Sequence, residues 1–125
     1  MRVLLADDHR EVLSALRLLL EDETGLEVVG EAADAGELLR QALVLRPNLV
    51  LLDCELPDGQ SSRPGPCAAA GVVADLRRSL PGVVVLALSG RPEARQAALA
   101  AGADAFASKA DPPEHLLSLL RSFGS

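Results

Sequence analysis

Short, continuously apolar runs alternate with amphipathic stretches from one end of the chain to the other. Residues 3–6 form the first run. In residues 11–20, Val12, Leu16 and Leu19 recur at helical spacing, with Leu13 and Leu20 beside them. A second run at 27–30 precedes a stretch opened by Asp34, with Glu37 three positions later, the spacing of a capping box. Further apolar runs follow at 48–52 and 83–88, with a weaker one at 104–107. Asp111, Pro112, Pro113 and Glu114 then open a last helix, with Asp111 as N-cap candidate, proline in the first turn and Glu114 at the third helical position.

Strands that are apolar throughout, rather than alternating, are expected to be buried on both faces. Five of them interleaved with helices predict an α/β fold: a doubly wound, five-stranded parallel sheet with helices on both faces. Right-handed crossovers leave few arrangements, and the flavodoxin-like strand order 2-1-3-4-5 leads them. The pattern predicts one domain over residues 1–125, without repeats. One segment breaks the rhythm: LPDGQSSRPGPC, residues 56–67, is dense in Pro, Gly and Ser and predicts a long loop. The helix predicted after it is weakened by Gly71 and two valines.

Composition changes this picture mainly by exclusion. Eighteen acidic against twelve basic residues give a net charge of −6, and there are two Phe and no Trp or Tyr. A surface that grips nucleic acid needs clustered positive charge or stacking aromatics, so no direct nucleic-acid contact is expected from this segment. Acids interrupt the opening MRVLLADD after four apolar residues, and no run approaches the ~18–20 needed to cross a bilayer, so neither a signal peptide nor a membrane span is expected. A cytoplasmic location follows as the expectation, and with it Cys54 and Cys67 as free thiols.

Candidate chemistry lies at the carboxyl ends of the predicted strands, where ligands gather in parallel sheets. Asp7 and Asp8 end the first strand, Asp53 the third and Ser89 the fourth, and Lys109 follows the fifth. Carboxylates brought together repel, so their coexistence points to a hard divalent cation such as Mg²⁺ among them. Phosphate oxygens suit such a cation. Lys109 and Ser89 would add an ammonium and a hydroxyl, and a carboxylate there can become an aspartyl phosphate.

Each residue also has a plainer reading. Asp8 with Glu11 fits a helix cap, Asp53 the cap of a following turn, Ser89 a loop hydroxyl, Lys109 a surface lysine and Phe106 plain core. His9 reads as a solvent-facing residue at a helix start, because a Mg²⁺ site prefers oxygen.

Taken together, RVLLADDH, EVVGEA, RPNLVLLD, the LSG ending the fourth strand, and AGADAFASK resemble the receiver domain of two-component response regulators over nearly the whole chain. They are most similar to the LuxR/NarL-type receivers that usually carry a helix-turn-helix output domain. The resemblance implies a CheY-like fold and a phosphoacceptor rather than an enzyme, one that assists its own phosphorylation and dephosphorylation. It implies that Asp53 takes a phosphoryl group from a sensor histidine kinase. Asp8, with support from Asp7, would bind Mg²⁺ together with Asp53 and the backbone carbonyl of Glu55. Lys109 would pair with the phosphoryl oxygens. Ser89 and Phe106 would act as switch residues, changing the face of the fourth helix, fifth strand and fifth helix to control a DNA-binding output domain. A homodimer through that face, or through the first and fifth helices, is the self-association the resemblance leaves open.

The chain departs from the family in three places. The loop after Pro57 is longer than usual by roughly half a dozen residues, a size that loops absorb cheaply. Glu55 puts an acid beside the phosphoryl position, where it would repel phosphate or steer water, and Arg91 would face the same position; both are tuning candidates. Two other classes remain. One is a receiver-like interaction domain that switches without phosphate. The other is a small-molecule phosphatase, against which Asp53-Cys54-Glu55 lacks the second aspartate such enzymes commonly use two residues on.

Overall fold

The computed structural model describes residues 1–57 and 67–124. The elements run β1 (Arg2–Ala6), α1 (Arg10–Glu21), β2 (Glu27–Ala32), α2 (Ala35–Leu45), β3 (Leu49–Asp53), α3 (Ala70–Ser79), β4 (Val84–Ser89), α4 (Ala94–Ala101), β5 (Ala105–Ser108) and α5 (Pro113–Gly124). All strand pairs are parallel, and the order is β2-β1-β3-β4-β5, as the apolar runs predict.

Strand periodicity divides the core between the two faces. Val3, Leu5, Leu49, Leu51, Leu86 and Leu88 pack with Leu13 and Leu20 of α1 and Leu116 and Leu120 of α5. Leu4, Ala6, Val50, Leu52, Val85 and Ala87 point the other way, toward α2, α3 and α4. Every residue of β3 is buried, and its neighbours β1 and β4 are nearly so. A leucine sealed at this depth contributes about 2 kcal/mol relative to its exposed state. The edge strands differ from expectation. β2 and β5 are mostly half-buried, because each has a neighbour on one side only.

A local capping signal sets the start of α2. The Asp34 carboxylate accepts from the Glu37 amide at 2.8 Å, but the Glu37 side chain accepts from Gln41 at 2.9 Å rather than closing the box. α1 has His9 at its cap position, so Asp8 lies one residue outside the helix and its capping reading is overturned. α5 begins at Pro113, one position later than predicted, which leaves Asp111 ahead of the cap position and its carboxylate 3.7 Å from His115 Nε2. In α3, Val72, Val73 and Leu76 are buried, and that packing outweighs the poor propensity of the segment.

Two further features hold the frame. The β1–β2 register slips between Val3 and Leu4, so Leu4 pairs with Gly30. A Cβ on Gly30 would come within 2.5 Å of Gln41 Oε1, so glycine there lets α2 lie close against β2. Arg77 of α3 donates to the carbonyls of Gly102 at 2.9 Å and Val83 at 2.6 Å and pairs with Asp104. The Asp104 carboxylate in turn accepts the Val85 amide at 2.8 Å. This clamp ties α3 to the entries of β4 and β5. The loop predicted over 56–67 falls mostly on residues 58–66, which lie outside the described residues.

Candidate functional site: an acidic pocket at the sheet's carboxyl edge

Strand register assembles the site. Ala6 pairs with Leu52, so Asp7 and Asp53 leave adjacent strands at the same level. Ser89 closes β4 opposite Ser108, the residue before Lys109, and the Lys109 amide donates to the Ser89 carbonyl at 2.9 Å. Asp7, Asp53 and Ser89 are each only 1% exposed, and they are the buried polar side chains among the described residues.

Charge balance within the pocket rests on Lys109. Its ammonium lies 3.2 Å from Asp7 Oδ2 and 3.3 Å from Asp53 Oδ1. Burial opposes the charge on Lys109, but attraction to Asp53 and Asp7 outweighs it and holds the pKa above the ordinary lysine value. Asp53 shifts upward, first because it is buried and then because Asp7 is near, while a 3.1 Å bond from the Glu55 amide to Oδ1 works the other way. The second oxygen, Asp53 Oδ2, is buried with no hydrogen-bond partner among the described residues. An uncompensated carboxylate oxygen at such depth is costly, and it marks a place for a positive group.

Asp8 occupies the exposed rim of the same pocket. One oxygen each of Asp7, Asp8 and Asp53 and one nitrogen of His9 lie within 4.8 Å of one another, an arrangement able to hold a metal ion. His9 is solvent-facing, as the sequence predicts, but it is not a bystander. Its Nδ1 lies 2.9 Å from Asp7 Oδ1 and 3.0 Å from Asp8 Oδ1, and its amide also bonds Asp7 Oδ1 at 2.9 Å. The bond to Asp7, followed by attraction to Asp8, raises the imidazole pKa. The DDH order carries a signal for this contact, because the residue after two strand-end acids starts a helix and its side chain turns back. A polar cavity of about 420 Å³ opens beside Asp7 and Asp8, bounded by Arg10, Ser14, Glu31 and Glu37.

The remaining sequence candidates surround this centre. Ser89 Oγ accepts from the Arg91 amide at 3.0 Å. Phe106 pairs with Ala87 in register and packs half-buried on the α4 side, the face that alternation also gives to Ser89. Glu55 and Arg91, treated separately in the sequence, meet: Arg91 Nη1 is 3.7 Å from Glu55 Oε1, and its Nε is 3.1 Å from Glu93. The Glu55 carboxylate, two residues after Asp53, therefore has a cation next to it. On the other face of the sheet, an apolar cavity of about 440 Å³ runs between Val12, Leu16 and Leu19 of α1 and Pro112, Pro113 and Leu116 at the start of α5.

Residues 3–121 match the family model described as the response regulator receiver domain. The chain belongs to that family. Among curated relatives, this receiver is 29% identical over 126 residues to the oxygen regulatory protein NreC of Staphylococcus epidermidis, covering 98% of this chain and 54% of the relative. It is also 29% identical over 126 residues to the transcriptional regulatory protein YhcZ of Bacillus subtilis, covering 99% of this chain and 55% of the relative. The receiver thus spans about half the length of the curated relatives it matches. Among solved structures, a LuxR-family two-component response regulator from Aurantimonas superposes with a TM-score of 0.83 at 31% identity, over 97% of this chain and 82% of that one. The isolated REC domain of RcsB from Salmonella enterica, solved with the phosphomimetic BeF₃⁻, gives 0.83 at 26%, over 97% and 86%. Receiver domains of response regulators are signalling domains, and no helix among the described residues is long and apolar enough to cross a membrane.

Proposed function

We propose that Asp53 is the phosphoryl acceptor of this receiver and that Mg²⁺ is held by Asp7, Asp8, Asp53 and the backbone carbonyl of Glu55. The observation that carries the reading is Asp53 Oδ2, a buried carboxylate oxygen without a partner among the described residues, beside two more acids and one lysine. The donor set fits the ion, since hard oxygens suit Mg²⁺. When bound, the ion supplies positive charge for the acids and for the incoming phosphoryl oxygens.

The chain's own groups do the rest. A carboxylate oxygen of Asp53 attacks the phosphorus of a kinase phosphohistidine, and the bond to the imidazole nitrogen breaks as the acyl phosphate forms. Lys109, already between Asp7 and Asp53, exchanges part of that pairing for a phosphoryl oxygen. Ser89 accepts from the Arg91 amide but keeps its own hydroxyl proton, which it donates to a second phosphoryl oxygen. Phe106, on the same face, follows Ser89 inward, and the α4–β5–α5 surface changes its partner preference. The domain is an acceptor that assists its own phosphorylation and dephosphorylation; it is not an enzyme acting on other molecules.

A sensor histidine kinase is the donor, and a cytoplasmic location goes with it. The relatives include transcriptional regulators about twice as long, which supports a DNA-binding output domain controlled by this receiver. This segment itself, with net charge −6, makes no direct nucleic-acid contact. The apolar α1–α5 cavity supports that face, rather than α4–β5–α5, as the contact between receivers in a homodimer. The reading is tested with beryllofluoride and Mg²⁺. Amide shifts around Ser89 and Phe106 that need both components, and vanish in Asp53→Asn, are expected. A folded wild type without such shifts would favour a receiver that switches independently of phosphate.

A further inference from the structure

We propose that the His9 imidazole is a metal ligand, and that it makes the acidic pocket prefer a first-row transition cation such as Mn²⁺ over Mg²⁺. The inference rests on the metal site of the acceptor reading and adds a nitrogen donor to it. The donor group is compact. One oxygen each of Asp7, Asp8 and Asp53 and one ring nitrogen of His9 lie within 4.8 Å of one another. The ring keeps 62% of its surface, so an aquated ion reaches it without any opening of the fold.

The spacing is that of donors around one ion. His9 Nδ1 is 2.9 Å from Asp7 Oδ1 and 3.0 Å from Asp8 Oδ1. Adjacent donors about 2.1 Å from an octahedral ion are about 3 Å apart. Nδ1 therefore already stands in a neighbouring ligand position to both oxygens. Asp7 divides its carboxylate between two sides: Oδ2 faces Lys109 at 3.2 Å, and Oδ1 is left to the His9 side. The ring has no capping task, since α1 has no side-chain cap hydrogen bond. A separate sign of a missing cation lies deeper. Asp53 Oδ2 is buried with no partner among the described residues. Three carboxylates face the single ammonium of Lys109, which leaves room for a divalent charge.

Ligand type then decides which ion gains. The Nδ1 lone pair meets the ion, and the ring proton resides on Nε2. Mg²⁺ is hard and releases its waters reluctantly, so an imidazole adds little to its binding. Mn²⁺, Fe²⁺, Co²⁺ and Ni²⁺ accept nitrogen with rising affinity. The three carboxylates admit either kind of cation, and His9 sets the preference between them. A ring that only bridges Asp7 and Asp8 by hydrogen bonds would set no such preference.

The full chain, freed of metal with a chelator, is titrated with Mn²⁺ and with Mg²⁺ by calorimetry. The Mn²⁺ complex is then read by pulsed electron paramagnetic resonance. Wild type should bind Mn²⁺ at least about tenfold more tightly than Mg²⁺ and show one coordinated imidazole nitrogen. His9→Ala should lose the nitrogen coupling and most of the preference, with Mg²⁺ affinity nearly unchanged. His9→Gln keeps a hydrogen-bond donor for the two acids, so a preference restored by glutamine would overturn the proposal. His115 is the other histidine of the chain. His115→Ala should keep the nitrogen signal, and its loss there would overturn the assignment. Absent Mn²⁺ binding, or bound Mn²⁺ without nitrogen coupling, would overturn it as well. Acetyl phosphate labelling with Mg²⁺ separates the two readings. Labelling without nitrogen coupling leaves the acceptor and removes the His9 ligand, whereas nitrogen coupling without labelling does the reverse.

Discussion

Lys109 Nζ stands 3.2 Å from Asp7 Oδ2 and 3.3 Å from Asp53 Oδ1, so one ammonium compensates two buried carboxylates on neighbouring strands. It reaches them from the end of β5, across β4. The pocket depends on this side chain for balance as well as for its proposed contact with phosphate.

Lys109→Ala should therefore destabilise the fold by about 2 kcal/mol, less than the ~3–5 for breaking a fully buried pair, because the lysine side chain keeps 29% of its surface. Adding Asp53→Asn should recover most of the loss, since the neutral amide no longer repels Asp7. Urea denaturation of the two single variants and the double variant checks this. Additive losses would contradict the shared balance.

Glu55 and Arg91 form an exposed pair on the rim. Removing the acid lessens repulsion of an incoming dianion and releases the arginine, so Glu55→Gln should speed labelling by acetyl phosphate by about two- to fivefold, and more so at low salt. Arg91→Ala should do the reverse. Salt-dependent labelling rates decide between this and a rim that merely decorates the pocket. The lifetime of the acyl phosphate, followed by mass after removal of donor, should also change in Glu55→Asn.

Away from the pocket, Gly30→Ala should cost about 1–3 kcal/mol through overpacking, because the new methyl would meet Gln41 at 2.5 Å, Leu45 at 3.0 Å and Leu4 at 3.1 Å. Pairing it with Gln41→Ala relieves the shortest contact and should return part of the stability in thermal unfolding.

Arg77 contributes in a different way. Losing its bonds to Gly102, Val83 and Asp104 at once should cost about 2–3 kcal/mol in Arg77→Ala, and amide exchange at the entries of β4 and β5 should accelerate more than in β1.

Much of this was legible in the sequence because the signals are local. Continuous apolar runs fix β1, β3 and β4 as central strands, and strand ends then carry Asp7, Asp53, Ser89 and Lys109 to one edge. What escaped is set by partners distant in the chain. Glu55 and Arg91 read as separate tuning residues because no periodicity links them. Arg77 gave no sign of its clamp, since Asp104 lies 27 residues away. The half-burial of β2 follows from being at an edge, which its composition hides. The β1–β2 register slip shows only as a glycine whose reason is the closeness of α2. His9 was judged by ligand chemistry alone, and its contacts with both acids come from the turn into α1.

Intact mass after incubation with acetyl phosphate, with and without Mg²⁺ and beside Asp53→Asn, tests the central claim most directly. The account predicts a single phosphoryl adduct that needs Mg²⁺ and is absent from the variant. A folded wild-type protein without an adduct, or an adduct that persists in Asp53→Asn, would contradict it.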